Sequence, residues 1–130
     1  MKNYYDSGLA LLRIGFSLAM LSHGYGKLLK LIEGGEIQFM DFMGIGTTLS
    51  LALAVIGEFA APVFVALGLY TRWAALPTAF TMAVAFFYVH ASDAFADKEM
   101  PFLFLLAFLA IALLGPGKYS LDALRAGKKS

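Results

Sequence analysis

The sequence predicts an all-α membrane protein: a four-transmembrane-helix bundle with cytoplasmic N- and C-termini and a short interfacial segment in its first loop. Two observations carry this reading. Hydrophobic residues make up 60% of the 130-residue chain and charged residues 15%, against roughly 45–50% and about 25% in an ordinary soluble domain. The apolar residues also come in long blocks, and a helix needs about 20 of them to cross a hydrocarbon core of roughly 30 Å. These blocks lack the period-two alternation of a membrane barrel.

Four segments, at about 7–29, 47–69, 73–89 and 97–114, meet or approach that length within one domain, 1–130. The first does not read as a signal peptide, because Arg13 interrupts its apolar region and no small-x-small cleavage site is followed by a soluble mature domain. The fourth is shortest and lengthens upstream through Asp97–Glu99, with Pro101 in its first turn, where a missing N–H costs little. Its core has no polar residue, so it is expected to face lipid most. Tyr70-Thr71-Arg72 reads as a tight turn, making the second and third helices antiparallel neighbours.

In the longer first loop, Ile37, Phe39, Met40, Phe42 and Met43 alternate with Glu36, Gln38 and Asp41, the pattern of a segment lying in the membrane interface. Gly115-Pro116-Gly117 stops the fourth helix. Ser120 can then cap a short final helix with Asp122 in its first turn. Lys2, Arg72, Lys118, Arg125, Lys128 and Lys129 fall on one side of this topology. Lys27, Lys30 and Lys98 fall on the other, among Glu33, Glu36, Asp41, Asp93, Asp97 and Glu99. The positive-inside rule places the first side, with both termini, in the cytoplasm.

A net charge of +1 offers no basic surface, so no nucleic-acid partner is expected. The absence of cysteine removes disulfides, iron–sulfur ligation and thiol chemistry. No histidine pair has metal-ligand spacing, so no metal is expected.

Polar side chains inside apolar segments cost at least about 2.5–3.5 kcal/mol when charged, and need partners or a wet cavity. Glu58 lies about 12 residues into the second helix, roughly 18 Å deep. Arg13 lies about six residues into the first, within reach across a vertical gap of roughly 9 Å. One reading has the two neutralise each other; the other makes Glu58 a proton acceptor or ligand anchor. His23 and Lys27 share a face near the outer end of the first helix, and Tyr88 and His90 lie near that of the third. Histidines at this depth suit proton exchange or simple interfacial packing. Gly15 with Ala19, Ser22 and Gly26, and Gly57 with Ala61, form small-residue stripes through which the first two helices are expected to pack. Pro62 and Pro77 are expected to kink their helices.

Three stretches resemble the DoxX family. They are Leu12-Arg13 leading through Gly15 to His23-Gly24-Tyr25-Gly26-Lys27-Leu28; Gly57-Glu58 followed by Leu67-Gly68-Leu69-Tyr70-Thr71-Arg72; and Gly115-Pro116-Gly117-Lys118-Tyr119-Ser120-Leu121-Asp122. The resemblance implies a four-helix membrane protein. The family's namesakes are subunits of a thiosulfate:quinone oxidoreductase, and other members are linked to membrane redox or oxidative-stress complexes. It carries over Arg13, His23, Lys27, Glu58 and Arg72.

The function expected is therefore the quinone-interacting membrane subunit of a redox complex. Glu58 and His23 would be its catalytic residues. Arg13, Glu58, His23, Lys27, Tyr88 and His90 would line its ligand site. No intrinsic cofactor is expected; the cofactor implied is a quinone. The partners implied are membrane lipids, a soluble or membrane redox subunit, and a second copy of the chain. Two alternatives stand beside this reading: a non-catalytic subunit or assembly factor, and a small binder or transporter of lipids or other hydrophobic ligands.

Overall fold

The computed structural model describes residues 4–34, 41–89 and 92–127. Helix α1 is Tyr4–Glu33. A 3₁₀ turn, Phe42–Gly44, precedes α2, Thr47–Leu67, whose middle turn Ile56–Ala60 is π-helical. Helix α3, Thr71–Val84, runs on into a second π turn, Ala85–Val89. A 3₁₀ turn, Phe95–Lys98, leads into α4, Glu99–Leu114, and α5, Leu121–Gly127, closes the order. There is no strand among the described residues. Most of the stretch at 36–43, where the interfacial segment was expected, lies outside them; of that stretch, Phe42 is half-buried and Met43 exposed.

Among the described residues, α2 is the one helix long and apolar enough to cross a membrane by length and composition, with 21 residues. Helix α1 has 30 residues but interrupts its apolar run with Arg13 and Lys27. Helix α4 is apolar but has 16 residues. Large apolar side chains stand exposed on each of α1 to α4, among them Leu11, Leu18, Leu53, Phe64, Phe80, Leu106 and Leu113. A bilayer solvates such a surface; water does not.

The core joins Met20 of α1, Val65 of α2, Ala75, Ala79 and Met82 of α3, and Phe104, Phe108 and Ile111 of α4. This corrects the expectation for the fourth helix. It faces the outside along Leu103, Leu106 and Leu113, yet buries Phe104, Ala107, Phe108 and Ile111 as a full stripe. A helix that is apolar all round gives the sequence no marker for its inner face. Shape complementarity selects it, because lipid tails are as apolar as the neighbouring helices.

The turn between α2 and α3 is as tight as expected but lies earlier than Tyr70-Thr71-Arg72: Gly68, Leu69 and Tyr70 make it, and Thr71 and Arg72 already belong to α3. Gly68, at φ +72°, ends α2 in the left-handed conformation. Its N–H returns to Val65 O at 3.0 Å, and Leu69 N–H to Phe64 O at 2.9 Å. This paired closure needs a residue without a Cβ. The start of α1 and the segment around α5 then meet at this end of the bundle. Lys118 N–H bonds Asp6 Oδ1 at 3.2 Å, and Asp122 N–H bonds Gly68 O at 2.8 Å.

Candidate functional site

Pro62 shapes the centre of α2. It has no N–H to return to the carbonyl of Glu58, and its ring crowds that carbonyl. The chain answers with the π turn, in which Ala61 N–H reaches back to Ile56 O rather than to Gly57 O. The freed Gly57 carbonyl is taken by the Thr78 hydroxyl of α3 at 2.6 Å, a buried bond. π turns of this kind often occur at functional positions, and this one carries Glu58, which is 3% exposed.

Helix α1 approaches the same turn at Gly24. A Cβ there would lie 2.5 Å from the Glu58 carbonyl carbon and 2.9 Å from Phe59 N. This close approach brings Lys27, one turn on, to Glu58: Nζ and Oε2 are 2.6 Å apart. The Lys27 side chain stays 31% exposed while that of Glu58 is 4% exposed. The site is therefore a sealed carboxylate joined to a cation that reaches its surface.

Two expectations are corrected here. Glu58 is neutralised by Lys27, not by Arg13. The close contact of α1 with α2 is made by Gly24, not through the Gly15 stripe: Gly15 and Gly26 have nothing within 4 Å of a Cβ position. Gly57 instead faces Thr81 and Pro77 of α3. The buried face of α1 runs Arg13, Ser17, Met20 and Gly24, steps of four, three and four residues, and a further step of three reaches Lys27. That phase was available in the sequence, because Arg13, Ser17 and Lys27 mark one stripe. Gly24 falls on it and Gly15 does not.

Arg13 is 1% exposed, and both its terminal nitrogens are engaged in structure. Nη1 donates to Val65 O at 2.8 Å and Ala66 O at 2.6 Å, and Nη2 donates to Tyr119 O. It thus satisfies carbonyls at the end of α2 and ties them to the segment before α5. Its Nε and the Ser17 hydroxyl are buried without partners, a cost of about 1–3 kcal/mol each. Three bonds from a charged donor, at about 1.5–3 kcal/mol apiece, act against that cost.

Asp122 is a second residue whose main role was not foreseen. Ser120 caps α5 as expected, accepting from Ala123 N–H at 3.1 Å. Asp122, however, caps α3. Oδ1 accepts from Tyr70 N–H, and Oδ2 from the Thr71 N–H and hydroxyl, all at 2.9 Å. Partial burial pushes its carboxyl up, but the bonds from Thr71 and Tyr70, with Arg125 nearby, more than offset this and hold it below the usual carboxylate range. No local sequence signal marks a cap supplied from 51 residues away.

The remaining candidate residues do not converge on Glu58. His23 is exposed on α1, its ring edge-on to Phe104 at 5.7 Å. No hydrogen bond joins it to Glu58 among the described residues. Tyr88 is half exposed, with its ring against Phe42 at 5.1 Å. His90 lies outside the described residues. Among the described residues no group of three or more carboxylate and imidazole side chains is placed to hold a metal. Chemically, the Lys27–Glu58 pair can hold a proton, or present an ammonium to an acceptor reaching α1.

Comparison with known proteins adds three findings. The DoxX family model matches residues 8–91, a span that includes Arg13, His23, Lys27, Glu58 and Arg72. The inner membrane protein YqjF of Escherichia coli (strain K12) is 33% identical over 129 residues, covering 95% of this chain and 96% of that protein. No solved structure matches.

Proposed function

The chain belongs to the DoxX family and is an inner-membrane protein, and we propose that it crosses the bilayer with α1 to α4, both termini cytoplasmic, as the quinone-interacting subunit of a redox complex. The observation that carries the proposal is the Lys27–Glu58 pair, a carboxylate 3% exposed in an apolar span. A charged group at that depth is expensive, and a group that holds and releases protons beside a lipid-soluble substrate gives it a use. Reduction of a quinone takes two electrons and two protons. A partner subunit supplies the electrons, since this chain has no cysteine and no electron-carrier motif. The Lys27–Glu58 pair, with its shared proton between ammonium and carboxylate, passes on the two protons one at a time, each replaced from water at the exposed side of Lys27, and the ammonium donates the hydrogen bond to a head-group oxygen. His23, four residues before Lys27, stands on the same face of α1.

The topology is supported by the meeting of Asp6 of α1 with Lys118 at one end of the bundle and by Arg72, Lys118 and Arg125 at that end. The chain has no cysteine, so single cysteines at Met43 and Lys118 can be labelled from outside intact cells without background. Met43→Cys should label and Lys118→Cys should not. For the ligand, a short-chain quinone should raise the thermal midpoint of the detergent-solubilised protein, and Glu58→Gln should abolish that shift. An unchanged midpoint with every quinone tested refutes the assignment. It would leave the second reading, a non-catalytic subunit, which the use of both Arg13 terminal nitrogens in backbone bonds favours.

A further inference from the structure

At the end of the bundle where Asp6 meets Lys118, a cavity of about 530 Å³ opens beside α3, lined by Tyr70, Arg72, Trp73, Pro116, Asp122 and Arg125 among others. Three features define what it accepts. The first is spare positive charge. Arg72 rests its guanidinium over the backbone of Gly115, where a Cβ would come within 2.8 Å of Nε. Among the described residues it makes no ion pair and donates no hydrogen bond. Arg125 lies half-exposed across the opening, its guanidinium 4.7 Å over the Tyr70 ring and Nη1 3.6 Å from Asp122 Oδ1. The one carboxylate in the lining, Asp122, is already committed to Tyr70 and Thr71.

The second feature is the wall. Trp73 is 76% exposed in the first turn of α3, the position of an aromatic anchor at a membrane surface. The third is what continues from it. Leu76 and Phe80 are exposed on the same face, at the three- and seven-residue spacings that line one side of a helix. An anionic head group with apolar chains matches all three features. The guanidinium fork suits phosphate oxygens, and the cytoplasmic leaflet supplies anionic lipid.

We infer that this cavity binds the phosphodiester head group of an anionic phospholipid, with Arg72 and Arg125 on the phosphate and the acyl chains along Trp73, Leu76 and Phe80. The inference rests on the proposed topology, which sets this end at the cytoplasmic surface.

Trp73 is the chain's single tryptophan, so it reports on its own site. The full chain in zwitterionic micelles is titrated with phosphatidylglycerol or phosphatidylcholine carrying brominated acyl chains, and quenching of Trp73 is read. Phosphatidylglycerol should quench at the lower mole fraction. Arg72→Gln should weaken that preference about five-fold, the share of one basic side chain near anionic lipid, with Arg125→Gln as the parallel variant. Equal quenching by the two lipids in the unsubstituted protein overturns the inference, as does an unchanged preference in both variants. Displacement of phosphatidylglycerol by millimolar glycerol phosphate would make the ligand a soluble anion and overturn the lipid assignment. If the Met43 and Lys118 labels fall on opposite sides while the two lipids quench alike, the topology stands and the lipid site alone falls.

Discussion

Gly24→Ala tests the packing on which the Lys27–Glu58 pair depends. The added methyl would sit 2.5 Å from the Glu58 carbonyl carbon and 2.9 Å from Phe59 N. Non-bonded heavy atoms are comfortable at about 3.5–4.0 Å. Every nearby atom is backbone, so no rotamer change relieves the clash, and α1 and α2 must part by about 1 Å. Overpacking of this kind costs about 1–3 kcal/mol. It opposes the gain of about 0.5–1 kcal/mol that alanine gives over glycine inside a helix. Gly15→Ala and Gly26→Ala are internal controls: nothing lies within 4 Å of either Cβ position, so each should be neutral or slightly stabilising. The assay is the thermal midpoint in one detergent for all three variants. Gly24→Ala should fall clearly below the unsubstituted protein while the controls do not. A Gly24→Ala protein as stable as its controls would show that α1 and α2 do not meet at Gly24, and the geometry of the Lys27–Glu58 pair would lose its foundation.

Lys27→Met strands the sealed carboxylate and should cost about 3–5 kcal/mol, whereas Glu58→Gln leaves a lysine already 31% exposed and should cost far less. The double variant should recover most of the loss, and strictly additive midpoints would sink the pairing. Asp122 gives a pH signature. Its folded-state carboxyl lies below the usual range, so its stabilisation is complete above the ordinary aspartate value near about 4 and is lost as pH falls through the lower folded value. Asp122→Ala should lower the thermal midpoint at pH 7, by a cap worth about 0.5–2 kcal/mol. The gap to the unsubstituted protein should close in acid, and a gap that stays constant down to pH 3 contradicts the capping role.

The helical class, the positions of the segments and the isolated carboxylate of α2 were legible in the sequence, because each depends on properties carried along the chain. Block length and the chemistry of single side chains need no partner to be read. Ser120 as a cap and the presence of a tight turn between α2 and α3 belong to the same class, since their bonds close over a few residues, although the turn lies at Gly68–Tyr70 rather than at Tyr70-Thr71-Arg72. Which residues meet was decided by the tertiary structure. Glu58 bonds Lys27 across 31 residues, Thr71 is capped by Asp122 across 51, and Arg13 reaches Tyr119 across 106. Depth along the membrane normal made Arg13 a reasonable partner for Glu58. Depth, however, is one coordinate, and contact also requires the rotation of each helix about its axis. The π turn imposed by Pro62 resets that rotation in α2, and Gly24 sets how near α1 can come. Neither is visible until the helices are packed, and together they decide that the buried carboxylate meets a lysine open to the surface rather than an arginine tied into the fold.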